Sequence, residues 1–227
     1  VKEVRNSARH RWLKNKHDNG IDSDAVEDFR SLSMEHLCTL VGSLSNILDE
    51  QAGWESKDRK DYYEYIPLDY EMFVKILRQE TKRLKRKPEL KFLEVGCGYG
   101  LKLFLAKYAC DIGHVHGIEI EGKLVDLARY LPLPFDAVER KSALQFKKYG
   151  DFDIIYFYRP IINKKKHEKM MRMIAKQKKA DAVVIFVNDN DLIYRLIQEE
   201  DFEKVISGRF DDKKHLAISY TSRKDQW

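Results

Sequence analysis

Between Lys91 and Glu119 the chain reads KFLEVGCGYGLKLFLAKYACDIGHVHGIE, an apolar strand, a three-glycine turn, a helix and a second strand ending in a carboxylate. Few folds accommodate that order. Phe92, Leu93 and Val95 have the strand-forming character of a parallel strand buried on both faces. Gly96, Gly98 and Gly100 follow at once, where a tight turn must open into a helix. Glycine tolerates the backbone angles of such a turn and, lacking a side chain, lets backbone N–H groups come close to a ligand. The stretch predicts an α/β chain with a nucleotide-type cofactor at this turn.

The glycine spacing separates two layouts that share this outline. A dinucleotide fold wants G-x-G-x-x-G or A, and the last small position here is Leu101, which argues against NAD. The run Glu94-Val95-Gly96-Cys97-Gly98-Tyr99-Gly100 instead resembles motif I of the Rossmann-like S-adenosylmethionine (SAM) methyltransferases, roughly acidic-x-G-x-G-x-G. That resemblance implies a sheet of order 3-2-1-4-5-7-6 with strand 7 antiparallel, and S-adenosyl-L-methionine as cofactor. It also implies a glycine loop passing under the methionine part and an acidic residue, here Glu119, taking both ribose hydroxyls. A carboxylate suits a vicinal diol because it accepts two hydrogen bonds.

A chain of 227 residues with 43% hydrophobic content can build one well-cored domain and an extension. The expected division is a basic arm and helical extension over 1–68 and a cofactor domain over 69–227. No window approaches 18 consecutive apolar residues, and the first residues are charged without an apolar core, so the expectation is a cytoplasmic chain with no membrane partner. Cys38, Cys97 and Cys110 form no CxxC pair, which fits a reducing compartment. His114 and His116 alternate along a strand without a third partner, and no metal is expected. Net charge is +5, from 42 basic and 37 acidic side chains. The basic groups gather in Lys2–His17, Lys82–Lys87 and Lys164–Lys179. Each cluster suits a solvated helix face, and together they keep nucleic acid among the partners in play.

Ahead of the glycine turn, Leu37, Leu40, Val41, Leu44, Ile47 and Leu48 recur at helical spacing, so one face of that helix must be buried. A second helix runs from Asp69 to about Arg86. Just before it, Tyr65-Ile66-Pro67 resembles the Tyr-x-Pro segment that closes over the methionine end of the cofactor in many of these methyltransferases; cover for the core edge is the other reading of these tyrosines. Beyond the turn, helices are expected over Leu101–Cys110, Gly122–Tyr130 and Lys164–Lys179. Strands are expected over Val115–Ile120, Phe135–Val138, Asp153–Phe157 and Ala182–Val187, with an antiparallel hairpin from Phe202 to Thr221. Lys141-Ser142-Ala143 stands where the family usually has Asp-Ala for the adenine amino group. Ser142 offers one acceptor there, without charge.

The resemblance thus implies a cofactor-binding set of Tyr65, Glu94, Gly96, Cys97, Gly98, Gly100, Glu119, Ile120, Ser142, Ala143 and Tyr156. In this fold ligands sit at the carboxyl ends of the strands, which puts Tyr158 and Arg159 on the acceptor side as candidate catalytic residues. Core packing and a loop charge are the plainer alternatives for that pair. The Asp/Asn-Pro-Pro-aromatic motif of amino-methylating DNA enzymes is replaced by Tyr158-Arg159-Pro160-Ile161, and no cysteine follows Cys110 to serve a cytosine-C5 mechanism. Two classes remain: a SAM-dependent methyltransferase acting on RNA, protein or a small anionic molecule, and an inactive SAM-fold module that binds nucleic acid or a partner protein through basic surfaces.

Overall fold

The computed structural model describes residues 29–52, 70–84, 89–134, 136–158, 160–187, 204–211 and 214–220, the last two segments as backbone. Helices α1 (Met34–Ala52) and α2 (Tyr70–Leu84) precede the first strand, β1 (Lys91–Val95). Then come α3 (Leu101–Tyr108), β2 (His114–Glu119), α4 (Gly122–Ala128), β3 (Val138–Arg140) and β4 (Ile154–Tyr158). They are followed by α5 (Lys164–Gln177), β5 (Val183–Val187), β6 (Lys204–Asp211) and β7 (Lys214–Tyr220). The hydrogen-bonded order is β3-β2-β1-β4-β5-β7-β6. The first five form a parallel sheet, and β7 runs antiparallel to both β5 and β6.

All five residues of β5 are buried, as are Phe92 to Val95 of β1, because helices cover both faces of a parallel sheet. Alternate residues along each strand divide the core. Phe92, Ile154, Tyr156, Val183 and Ile185 pack under α1, α2 and α3, whereas Leu93, Val95, Ile155, Phe157 and Val184 pack under α5. On the first face Phe73 of α2 meets the Tyr156 ring edge-on with centroids 5.1 Å apart. On the second, Met170, Met171 and Ile174 of α5 are fully buried.

Two local expectations shift. The third strand is Val138–Arg140, where Phe135–Val138 was expected; the Ala137 N–H donates to the Pro134 carbonyl, and Phe135 lies outside the described residues. Polar Glu139 and Arg140 pair with β2 instead. In α1 the buried stripe is Leu37, Val41, Ser45 and Leu48, while Ile47 is exposed, because the helical period puts Ser45 on the stripe and turns Ile47 off it. Cys38 in α1, Cys97 in the glycine turn and Cys110 beyond α3 are buried and not disulfide-bonded. Among the described residues no helix is long and apolar enough to cross a membrane.

Candidate active site

The carboxyl ends of β1, β2 and β4 meet at the glycine turn. All three glycines have positive φ, at 74° for Gly96, 55° for Gly98 and 79° for Gly100, the left-handed region that side chains disfavour. Gly96 has a second reason to be glycine: a Cβ there would lie 2.7 Å from Cβ of Pro160. The segment leaving β4 therefore rests directly on the turn, bringing the expected acceptor side against the expected cofactor side. Gly100 is the N-cap of α3 and offers no side-chain cap.

Four amides of the turn are engaged within the chain. Gly96 and Cys97 N–H groups donate to the Ile118 carbonyl, and Gly100 N–H to the Cys97 carbonyl. Gly98 N–H donates to Glu119 Oε2 at 2.9 Å. These bonds hold the turn against the end of β2; Gly96 is exposed, and Gly98 and Gly100 are buried. Cys97 turns its side chain inward; a Cβ on Gly117 would lie 2.6 Å from its Sγ. Burial pushes the Cys97 thiol well up, aided by Glu94 and Glu119, so this cysteine, 1% exposed, is an inert packing group.

Glu119 closes β2, 9% exposed. Its Oε1 accepts from Ile120 and Glu121 N–H at 2.8 and 2.9 Å. With Gly98 on Oε2, three of the roughly four lone-pair directions of a carboxylate are used. Burial moves its pKa up, against the three backbone donors that pull it down. Ile120 is partly buried beside it, and its carbonyl accepts from Arg140 Nε at 3.4 Å. The Glu119 carbonyl accepts from Lys141 N–H, which draws the segment after β3 to the same edge. There Ser142 Oγ accepts from Leu144 N–H at 3.3 Å, and the Ala143 carbonyl accepts from the Tyr149 hydroxyl at 2.8 Å. Ser142 thus shapes its own turn.

Glu94 and Tyr156 are register partners on β1 and β4, both buried on the α3 side. Lys102 of α3 donates to Glu94 Oε1 at 3.0 Å, with its Nζ 5.8 Å from the Tyr156 ring centroid. Glu94 Oε2 and the Tyr156 hydroxyl are buried without a hydrogen-bond partner. Burial lifts the Glu94 carboxyl to about 7 despite the pull of Lys102, and lifts the Tyr156 phenol well above its ordinary value. Tyr158 ends β4, half-buried against the same core. Tyr65 and Arg159 lie outside the described residues.

Several participants were not singled out from the sequence. Lys102 is the buried one of the two lysines in the helix LKLFLAKY, eight residues after Glu94. Asp49 of α1 accepts from the Tyr99 hydroxyl at 2.9 Å, and the Ala52 carbonyl accepts from Lys123 Nζ, so α1 is tied to the glycine turn and to α4. Gly117 admits Cys97 and Leu103 against the sheet.

Among the described residues the basic clusters do not form one surface. Lys82 and Arg83 end α2 at the amino edge of the sheet on the first face, whereas Lys164, Lys165 and Lys166 open α5 at the carboxyl edge on the second. Residues 1–28 and 85–88, which hold the other basic positions, lie outside the described residues.

No protein-family model matches the sequence, and no curated protein matches it. Solved structures do match. A Listeria monocytogenes protein assigned to the class I S-adenosylmethionine-dependent methyltransferases superposes with a TM-score of 0.61 at 12% identity, over 88% of this chain and 72% of its own. Magnesium protoporphyrin IX methyltransferase from Synechocystis PCC 6803, solved with bound SAM, gives 0.53 at 12% identity over 86% of this chain and 97% of its own. The N-methyltransferase NodS from Bradyrhizobium japonicum WM9, solved with S-adenosyl-L-homocysteine, gives 0.51 at 16% identity over 81% and 98%. At such identities the likeness is one of architecture: this chain has the fold of the class I SAM-dependent methyltransferases.

Proposed function

We propose that the chain binds S-adenosyl-L-methionine and transfers its methyl group to an acceptor among RNA, protein and small anionic molecules. The observation that carries this reading is Glu119, a buried carboxylate at the end of β2 fastened to Gly98 of the glycine turn, with one lone-pair direction on Oε2 left for a ribose hydroxyl. The strand order, with β7 antiparallel, supports it, and residues 69–227 are then the catalytic domain, with 1–68 an extension whose α1 lies over the turn. The residues present fit such a cofactor, because Glu94 Oε2 and the Tyr156 hydroxyl are buried polar atoms that an amino-acid end would supply with partners.

In this reading Gly96, Gly98, Gly100 and the Cys97 backbone pass under the cofactor, Glu119 and Ile120 hold its ribose side, and Ser142 and Ala143 border its base. Tyr65 closes over its methionine end. The cofactor supplies a methyl group already activated on a sulfonium, so the chain has mainly to hold and orient the two reactants. Tyr158 and Arg159 take the acceptor side. Pro160 restrains Arg159 to extended backbone angles, which keeps its guanidinium out of a helix and available to an anionic or carbonyl group.

Calorimetry with SAM, S-adenosylhomocysteine and NAD tests the cofactor, and transfer of tritium from labelled SAM into RNA, protein and metabolite extracts tests the activity. The expected result is binding of the first two ligands and transfer into one extract. Tight NAD binding without a response to SAM ends the assignment. A second reading, an inactive module that binds nucleic acid, is supported by one observation: the first turn of α5 carries Lys164, Lys165 and Lys166 with no acidic residue, where the helix dipole already favours anions. Cofactor binding without transfer, together with salt-dependent retention of RNA, selects that reading.

A further inference from the structure

Helix α5 carries more charge than its stability can use. Its 14 residues hold six lysine and arginine side chains against one glutamate, an excess that equals the net charge of +5 of the entire chain. Helix α2 shows the ordinary arrangement, in which Lys75 pairs with Glu71 and Arg83 with Glu80 along one face. In α5 the single acid, Glu168, pairs with Arg172, and Lys165, Lys169 and Lys176 have no ion pair among the described residues. Lys165 with Lys169, and Arg172 with Lys176, are like charges four residues apart, which weakens a helix. What holds α5 is its other face, where Met170, Met171 and Ile174 are fully buried. The basic face needs another reason.

Its geometry supplies one. Lys165, Lys169, Arg172 and Lys176 follow at steps of four, three and four residues and are all exposed, so they form one stripe about 16 Å long by the rise of a helix. They border an open groove of about 620 Å³, in whose described lining Met173 is the one apolar side chain. The stripe begins seven residues after Tyr158, at the carboxyl edge of the sheet, and runs toward the amino edge, because α5 is the crossover between the parallel strands β4 and β5. The segment between is pinned, with Pro160 against Gly96 and Ile161 buried. A lone phosphate would leave most of such a row unused. A membrane contact needs apolar side chains beside the cations, and those of α5 pack into the core. Peptide recognition uses apolar pockets or an open strand edge, and the described lining of the groove has neither. A phosphodiester strand repeats its charge along a line, and lysines on a helix flank meet phosphates without reading bases.

We propose that the exposed flank of α5 is a docking track for an RNA strand, its phosphates on Lys165, Lys169 and Lys176, which leads one end of the strand to the acceptor side at Tyr158 and Pro160. This deepens the methyl-transfer reading and rests on it, selecting RNA from the three acceptor classes.

The test is fluorescence anisotropy of the full chain with a labelled single-stranded RNA of about 12 nucleotides, at salt from about 50 to about 200 mM, with calorimetry on S-adenosylhomocysteine alongside. The variant Lys165→Gln/Lys169→Gln/Lys176→Gln is expected to bind the RNA at least about tenfold more weakly at the lowest salt, with a log–log salt slope shallower by about 2, the value for three phosphates of a single strand. Its affinity for S-adenosylhomocysteine is expected to be unchanged, since the three side chains are exposed, and arginine at the same positions is expected to keep the RNA binding. A charge-matched control away from α5, Lys75→Gln/Lys82→Gln/Lys91→Gln, is expected to keep most of the affinity. Equal loss in that control would mean that net charge alone is at work and overturns the track, as does an unchanged salt slope in the α5 variant. Retention on phosphatidylserine vesicles without RNA binding gives the face to a lipid surface and overturns it too. Tritium passing from labelled SAM into protein or metabolites but not into RNA overturns the inference and leaves the cofactor reading intact. If the wild type does not bind S-adenosylhomocysteine, the methyl-transfer reading falls and takes this inference with it.

Discussion

At the scale of single residues, the turn is held by two kinds of constraint, one steric and one polar. Gly96→Ala would place a methyl group in left-handed backbone against Pro160, and the two penalties together amount to about 2 to 4 kcal/mol. Chemical denaturation should show that loss, and calorimetry should show S-adenosylhomocysteine binding reduced with it; a fully stable variant would mean that Pro160 moves aside at no cost. Glu119→Ala acts through the polar constraint. It strips acceptors from three backbone N–H groups and should cost about 1 to 3 kcal/mol in addition to weakening the cofactor about tenfold. Thermal melting with and without ligand separates the two effects, and an unchanged melting temperature would show that water replaces the carboxylate. The glycines and Glu119 were legible in the sequence because their reasons are local, a backbone angle and a charge at a strand end. Lys102 was not, since a lysine in a helix reads as a solvated group until the fold brings Glu94 to 3.0 Å.

Among elements, α1 has the most to say about the site. Its apolar stripe was readable from periodicity, but the polar ties that fix its position join residues fifty and more apart in sequence, which no pattern announces. Tyr99→Phe removes the hydroxyl that donates to Asp49 and should cost about 1 to 3 kcal/mol, a bond to a charged acceptor. Hydrogen exchange should locate the loss, with amides of α1 exchanging faster and those of β4 and β5 unchanged; uniform acceleration would mean that α1 does not open by itself. The misplacement of β3 has the opposite cause. Phe135 to Val138 has strand-like composition, yet the Ala137 N–H bonds back to the Pro134 carbonyl, so local backbone chemistry overrode propensity at that residue.

Over the molecule as a whole, the buried acids set a pH dependence. Glu94 is lifted from 4.5 to about 7 by burial, so between those values the folded chain keeps a proton that the unfolded chain has lost. Its contribution to stability is therefore complete below pH 4.5 and declines as pH rises through about 7, by up to about 1.4 kcal/mol per pH unit. Glu119 shifts in the same direction. Glu94→Gln is neutral at every pH, so the stability of the wild type relative to this variant should fall between pH 5 and pH 7.5. Parallel denaturation curves at the two values would show that Lys102 keeps Glu94 charged throughout.

The three cysteines give the fold a clock. Cys38, Cys97 and Cys110 sit in α1, the glycine turn and the segment just past α3, three parts of one layer, and each is buried in the folded state. A thiol-reactive chromophore added to the native chain should therefore label in resolved phases, each timed by the opening of one part. Mass spectrometry of the labelled peptides should find Cys38 first, since α1 is joined to the rest by side-chain ties and packing alone, and Cys97 last. A saturating cofactor should slow the Cys97 phase and leave Cys38 nearly unaffected, which would turn a packing detail into a readout of occupancy that needs no knowledge of the methyl acceptor.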